Sequence, residues 1–428
     1  MSTPNPPQLL SSRPKFTGRR LVKIDPEASH QTISSRAKNA SIRLASFSDY
    51  SEGHEDFTRA FEDSDGILFD GFRIAIVNEN RDDRVKKLTE SSKTKNTFFY
   101  SEPERFVYAI QNINYLSSKD INTGSEVQVK DSNGSKTGFN FNDDGTASWA
   151  IHAIKINESE YSGKGVNIAI LDTGFNITHP DFSGRSITVR SFISGEEVND
   201  LNGHGSHCTG LAAGNINHVT RMRYGVAKGV NIFVGKVLSN EGSGSDSSIL
   251  AGMEWAITNH CKVISMSLGA QVYPGESYSN IYNDIAKKAI SKGTIIIAAA
   301  GNESRRDKGI ISPVGHPANC PAIMAVAALD RKLDVAYFSC GGINQDGGQV
   351  DIAAPGVDIY SSWKNPVGYN TISGTSMATP IVAGVAALFC EAYPSASASD
   401  IWKYLTQNAM RLVLNFSDVG AGFVQPPK

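Results

Sequence analysis

Long apolar runs are missing from this chain of 428 residues. No stretch reaches the roughly 18 consecutive apolar residues that a membrane helix needs. The first twenty residues, Met1 to Arg20, carry prolines and serines where a secretory leader would carry an apolar core. Neither a membrane partner nor a leader is therefore expected. Cysteine is scarce as well: Cys208, Cys261, Cys320, Cys340 and Cys390 are odd in number and have no close pairs. That pattern fits reduced thiols in the cytoplasm better than a disulfide framework, with secretion the alternative had a leader been removed. An excess of one charge is also absent. Lysine plus arginine (41) nearly balance aspartate plus glutamate (43), which argues against a nucleic-acid partner or an anionic membrane surface. What is present, 40% apolar and 20% charged residues, describes a globular chain long enough for two or three structural units.

Composition divides the chain. Residues 1–18 are polar and proline-bearing and read as a flexible lead-in. Residues 19–110 alternate short apolar runs with one or two helical stretches. Strands are expected at Leu21–Ile24, Ile42–Phe47, Gly66–Val77, Thr97–Tyr100 and Arg105–Ile110, and helices at His30–Ala40 and Asp82–Ser91. The β-α-β-β-α-β order predicts a small α+β open-faced sandwich of the ferredoxin-like kind. Residues 111–148 are rich in Asn, Ser, Gly and Asp and read as a linker. Residues 149–428 alternate apolar strands (Val166–Leu171, Ile232–Leu238, Lys262–Ser267, Thr294–Ala299) with helices (Ser247–Asn259, Ser279–Lys292). The fold class this implies is α/β, a parallel sheet with helices on both faces, in which ligands gather at the carboxyl ends of the strands.

Chemistry-bearing residues follow those strands. Asp172-Thr173-Gly174, Ser267-Leu268-Gly269 and Gly301-Asn302-Glu303 close the first, third and fourth strands, and His204 opens a helix of small residues between the first and second. Near the C-terminus Gly374-Thr375-Ser376-Met377-Ala378-Thr379-Pro380 runs into an alanine-rich apolar helix, with proline placed where a first turn tolerates its missing N–H. Acyl transfer through a serine needs a hydroxyl, a base, a carboxylate that orients the base and a donor for the oxyanion. Ser376, His204, Asp172 and Asn302 supply that set. Each alone has an ordinary explanation as a turn or packing residue, but their joint arrival at one sheet edge does not.

The motifs at Asp172-Thr173-Gly174, His204-Gly205-Ser206-His207-Cys208-Thr209-Gly210 and Gly374–Pro380, in the order Asp, His, Ser, resemble the subtilisin-like serine proteases, or subtilases, of the subtilisin and proteinase K type. The resemblance covers about Trp149 to Met410. It implies nucleophile Ser376, general base His204, orienting Asp172 and oxyanion donor Asn302, and a peptide or protein substrate. Ser267, Leu268, Gly269 and Ala299, Ala300, Gly301 would wall the pocket for the residue before the cut, and Gly242, Ser243 and Gly244 would pair with the substrate backbone. Both walls are small or apolar and carry no charge, so large uncharged side chains are expected there. No cofactor is implied for catalysis. A structural calcium ion is implied, held by the carbonyls of Pro317 and Asn319 and the carboxylate of Asp351. His207 without a third ligand is not read as a metal site.

The same resemblance gives Cys320 a counterpart in a disulfide, but the partner position falls near Ile401, so no bridge is expected. Cys208, beside His204, reads as a small buried hydrophobe. The N-terminal sandwich resembles the subtilase propeptide, a folding aid and product-like inhibitor, which makes the chain's own N-terminal domain a partner of its active site. Two other readings share the motifs: a subtilase that transfers the acyl group to an amine and macrocyclises peptides, and a non-catalytic peptide-binding protein. Nothing between Asn302 and Ser376 reads as an inserted lid, and all four catalytic residue types are retained.

Overall fold

The computed structural model describes residues 15–50, 59–78, 84–85, 98–110, 129–130, 136–137 and 139–428. They form two compact units: residues 1–107 with 245–247, and residues 108–244 with 248–428.

In the smaller unit the strands are β1 (Phe16–Ile24), β2 (Leu44–Ser46), β3 (Gly66–Phe69), β4 (Ile74–Asn78) and β5 (Phe98–Ala109), with helix α1 (His30–Asn39) between β1 and β2. Their order is β5-β1-β4-β3-β2, with β2 parallel to β3 and the other pairs antiparallel. Ser29 caps α1 by accepting the Thr32 N–H, and Ile33 and Ala37 pack with Val22, Ile24, Leu68, Ala75 and Val77 in one core. Three details differ from the sequence expectation. β1 begins at Phe16, inside the segment read as a flexible lead-in. Gly66–Val77 is a hairpin rather than one strand, because Asp70-Gly71 is a turn signal and Arg73 takes φ +61° with its N–H donating to Phe69 O at 2.8 Å. The two short strands expected at 97–110 are one continuous strand. The helix expected at 82–91 lies outside the described residues except for Arg84 and Val85.

The larger unit is built on seven parallel strands: β6 (Asn167–Asp172), β7 (Ile187–Ser191), β8 (Asn231–Lys236), β9 (Val263–Met266), β11 (Ile295–Ala299), β12 (Met324–Leu329) and β13 (Ile352–Pro355). β10 (Leu268–Gly269) is a short strand off this sheet. The order β13-β12-β11-β9-β6-β8-β7 places the first strand in the interior, with its neighbours β8 and β9 arriving later in the chain on opposite sides. Such a reversal opens a crevice at the strands' carboxyl ends, where Asp172 sits. β7, β12 and β13 were not recognised in the sequence, since short Ala-rich or half-polar strands carry little periodicity.

Four helices of this unit are α2 (His204–Ala213), α3 (Asp246–Thr258), α4 (Asn280–Ser291) and α5 (Thr375–Ala392); α2 and α5 pack against each other, and α5 also packs on β9, β11 and β12. α5 is long and apolar enough to cross a membrane, yet 83% of it is buried inside the protein, so it is the core helix. Pro380 is its sixth residue rather than part of its first turn, as the sequence suggested. A proline there leaves the carbonyl four residues earlier, that of Ser376, without its helical donor. Ser267 Oγ supplies a bond to it at 2.8 Å, and Cys208 Sγ approaches it at 3.5 Å. Residues 139–148 are tied to this unit: Asp143 accepts the Trp149 N–H and pairs with Arg331, and the Phe141 N–H donates to Arg331 O. All five cysteines are free. Because Ser267 satisfies a buried carbonyl, Ser267→Ala should lower stability by about 1–3 kcal/mol in denaturant unfolding. An unchanged midpoint would show that the Cys208 thiol suffices.

Candidate active site

The site begins where β6 ends. Asp172 and His204 are both fully buried, and Asp172 Oδ1 lies 2.7 Å from His204 Nδ1. α2 can bring the imidazole so close because Gly205 has no side chain: a Cβ there would collide with the Gly174 carbonyl. Gly203, just before the helix, has φ +106°, and a Cβ on it would run into the Trp363 ring. These two contacts explain the glycines that flank His204.

Sequence reasoning missed the group that ties this corner together. Asp200 is buried, and its Oδ1 accepts from Thr173 Oγ1 (3.0 Å) and from the N–H groups of Asn202 (3.0 Å) and Gly203 (2.8 Å). Its Oδ2 accepts from Ser206 N–H and Oγ, both at 2.8 Å. One carboxylate thus joins the loop after β6 to the start of α2, where unpaired helix N–H groups favour negative charge. An aspartate just ahead of a helix start was the available signal.

Burial, the largest single influence, would depress the His204 pKa, but the charge and hydrogen bond of Asp172 together with the Cys208 contact outweigh it and hold the imidazole well above the ordinary 6.5. Its Nε2 is buried and has no hydrogen-bond partner among the described residues. Cys208 Sγ is 3.9 Å from His204 Nδ1, and burial pushes the thiol up to about 11, so it stays protonated. His207 is pushed down to about 3 by burial and then by His204. Its Nε2 faces the carbonyls of Ile359 (3.0 Å) and Asn370 (3.2 Å), which makes it a neutral structural donor.

Ser376, second residue of α5, donates its hydroxyl to Ile110 O at 3.1 Å or Ser267 O at 3.2 Å, and no hydrogen bond joins it to His204. Asn302 Oδ1 accepts from both N–H and Oγ1 of Thr375 (2.9 Å each), which aims Nδ2 at Ile110 O, 3.3 Å away. A Cβ on Gly374 would lie 2.9 Å from Asn302 Nδ2 and 3.4 Å from Ile110 O, so glycine keeps this pocket open.

Tyr108, Ala109 and Ile110 of the larger unit run through the expected cleft. Tyr108 and Ala109 pair antiparallel with Gly269 and Leu268 of β10, and the Ala109 N–H donates to Gly242 O at 2.8 Å. Ser243 begins the strand Ser243–Ser245, and Gly244 follows within it. A Cβ on Gly269 would sit 3.3 Å from Ile110 Cδ1, which places this wall against the isoleucine side chain. Ala299 ends β11, the neighbour of β9, with Ala300 and Gly301 buried just beyond it. One titratable group stands beside these walls. Glu303 Oε2 lies beside Gly301, where burial raises its pKa and the Cys340 thiol donates to it at 3.1 Å.

At the expected calcium position, Pro317 O accepts the Cys320 N–H and Asn319 O accepts the Gly348 N–H, which holds the loop leading to Asp351 against this turn. Asp351 Oδ2 accepts the Ala325 N–H at 2.7 Å, and burial pushes its carboxyl up to about 7.

A parallel α/β sheet with a buried carboxylate–imidazole pair and a helix-borne serine at its strand ends defines a hydrolase of the α/β serine type. Comparison with known proteins narrows the class. Residues 163–423 match the profile of the subtilase family. The chain is 38% identical to subtilisin DY of Bacillus licheniformis over 263 residues, covering 61% of this chain and 90% of that protein. It is 36% identical to subtilisin E of Bacillus subtilis (strain 168) over 268 residues, covering 62% and 66%. The solved structure of sphericase superposes with a TM-score of 0.55 at 33% identity, covering 65% of this chain and 97% of that one. The chain belongs to the subtilase family and is a serine endopeptidase.

The electrostatics of the buried pair give a direct expectation. The His204 ring should titrate by NMR with a midpoint above 6.5. Asp172→Asn, which removes the carboxylate's charge, should lower that midpoint. A midpoint that does not move would mean the carboxylate is not what holds the proton.

Proposed function

We propose that the enzyme cleaves peptide bonds with Ser376 as nucleophile, His204 as general base, Asp172 as its orienting carboxylate and Asn302 as oxyanion donor, and that it is made as a self-inhibited precursor. The observation that carries this reading is the Ile110 carbonyl, which sits between Ser376 Oγ and Asn302 Nδ2 at the end of a segment paired as an extended substrate would be. Ile110–Gln111 is then the bond presented for cleavage. Residues 19–110 act as propeptide and inhibitor, 111–148 as the connection to be cut, and 149–428 as the catalytic domain.

In this reaction Ser376 Oγ bonds to the carbonyl carbon while its proton passes to His204 Nε2, the buried acceptor that has no other partner. The C=O electron pair moves onto oxygen, which faces Asn302 Nδ2. Asp172 Oδ1 holds the Nδ1 proton and stabilises the imidazolium as it forms. Collapse of the adduct breaks the C–N bond, and His204 hands its proton to the departing amine. Water then repeats the sequence on the acyl-enzyme and releases the carboxylate. His204 and Ser376 must come into hydrogen-bond contact for this, a contact that the hydroxyl's bond to the Ile110 or Ser267 carbonyl replaces here.

Large uncharged residues before the cut fit the Leu268–Gly269 wall that Ile110 touches, and the raised pKa of Glu303 favours its neutral form beside them. Catalysis in this family needs no cofactor. A structural calcium ion suits the Pro317 and Asn319 carbonyls and the Asp351 carboxylate. These donors are hard oxygens, and Asn319 Oδ1 is buried with no hydrogen-bond partner among the described residues. A bound cation there would keep Asp351 ionised and tie the 317–320 turn to the loop before β13.

Ser376→Ala should leave the chain uncut and inactive yet folded, and Asn302→Leu should lower kcat by about 10²–10³. Intact mass and N-terminal analysis after incubation with a fluorophosphonate report nucleophile reactivity and self-cleavage, peptide-hydrolysis rates report kcat, and a Ser376→Ala protein that still hydrolyses peptides would refute the assignment. Chelator should lower the melting temperature of the wild type but not of Asp351→Asn. Equal melting curves with and without chelator would remove the calcium site.

A further inference from the structure

Beside Ile110 the larger unit has a partly open cavity of about 250 Å³. His204, Asn202, Trp363, Lys364, Asn370 and Met377 form much of its wall. Tyr108 and Ala109, which precede Ile110, lie along Gly269 and Leu268. A substrate chain continuing past Ile110 leaves on the other side of the carbonyl from these pairings, and Met377, the neighbour of Ser376, is one of the residues that line the cavity. The cavity thus borders the scissile carbonyl on a side open to the leaving part of a substrate.

Its one lysine is Lys364, in the connection between the hairpin strands β14 (Ile359–Ser362) and β15 (Tyr369–Ile372), and no arginine among the described residues lines it. The Lys364 ammonium donates to Leu201 O at 2.6 Å, which fixes it at the cavity wall. An ammonium has three N–H donors, so two remain after this bond. Among the described residues no carboxylate forms an ion pair with it. Two acids of the neighbouring loops are committed elsewhere: Asp200 to its five donors, and Glu196 to Lys236 (3.1 Å) and the Asn240 N–H (2.9 Å). A positioned cation that meets only a neutral carbonyl, on the wall of a cavity bordered by His204, is complementary to an anion.

We propose that this cavity receives a side chain from one of the first two residues after the scissile bond, and that Lys364 makes it favour a carboxylate, Asp or Glu. The inference rests on the Ser376-centred reading above, which sets the direction of the substrate. A lysine that merely pins Leu201 would, when replaced, alter the cleavage of all substrates alike. A lysine that reads charge alters the ratio between them.

The test uses purified full-length protein and quenched fluorescent peptides identical up to the cut, with Glu, Gln or Lys at each of the two following positions, the cut being located by product mass. Wild type should favour Glu over Lys in kcat/KM by about tenfold at low salt, and the preference should shrink as salt screens it. Lys364→Met should bring the ratio to about one, Lys364→Glu should reverse it, and Lys364→Arg should retain it. A Glu-to-Lys ratio at or below one in wild type, or the same ratio in Lys364→Glu, overturns the proposal while leaving the Ser376 reading intact. A wild type that cleaves none of the peptides overturns both.

Discussion

A buried carboxylate against a buried imidazole is the contact on which the rest of this molecule depends. Taking both groups out of water is costly, and the arrangement persists only because their mutual charge and hydrogen bond are held at short range by a rigid frame. β6 supplies one partner at its end and α2 the other at its start. The two elements close to this distance because Gly205 lets backbone touch backbone. Asp200 completes the frame with five hydrogen bonds across the seam.

The serine is set by a second, separate device. Pro380 deprives the Ser376 carbonyl of its helical donor, and Ser267 fills the gap from the strand-end loop that also walls the cleft. The helix start, the cleft wall and the hydroxyl are thereby coupled through one carbonyl. Thr375 performs a parallel task for Asn302, since two bonds to Oδ1 leave the amide nitrogen to face the pocket. Each reactive group is thus positioned by a neighbour whose own chemistry is ordinary.

Much of this was legible beforehand, and unevenly. The strands at 167–172, 231–236, 263–266 and 295–299 stand out because strands buried on both faces are almost wholly apolar. β7, β12 and β13 escaped because alanine-rich or half-polar segments of four to six residues look alike in strand, helix or loop. Asp172, His204, Asn302 and Ser376 could be read as a set because acyl transfer requires those residue types together. Asp200 and Glu303 do not stand out in this way, since an acid beside an asparagine has the same appearance in a solvated turn, and only its place ahead of a helix start marks Asp200. The hairpin at Asp70–Arg73 was legible in principle, through its Asp-Gly step, but the apolar letters on either side read as one strand.

By itself the sequence determined the kinds of element, the reactive residue types and their order along the chain, because periodicity and functional-group chemistry are local properties. Only the tertiary structure decided which of those groups meet. It placed Asp172 on His204, turned Asn302 toward a carbonyl, seated Ile110 at Ser376 and left Lys364 facing a cavity rather than an acid. These are contacts between residues tens to hundreds of positions apart. Their distances follow from how strands are ordered in a sheet and how closely backbones approach, and neither is written in any single stretch of the chain.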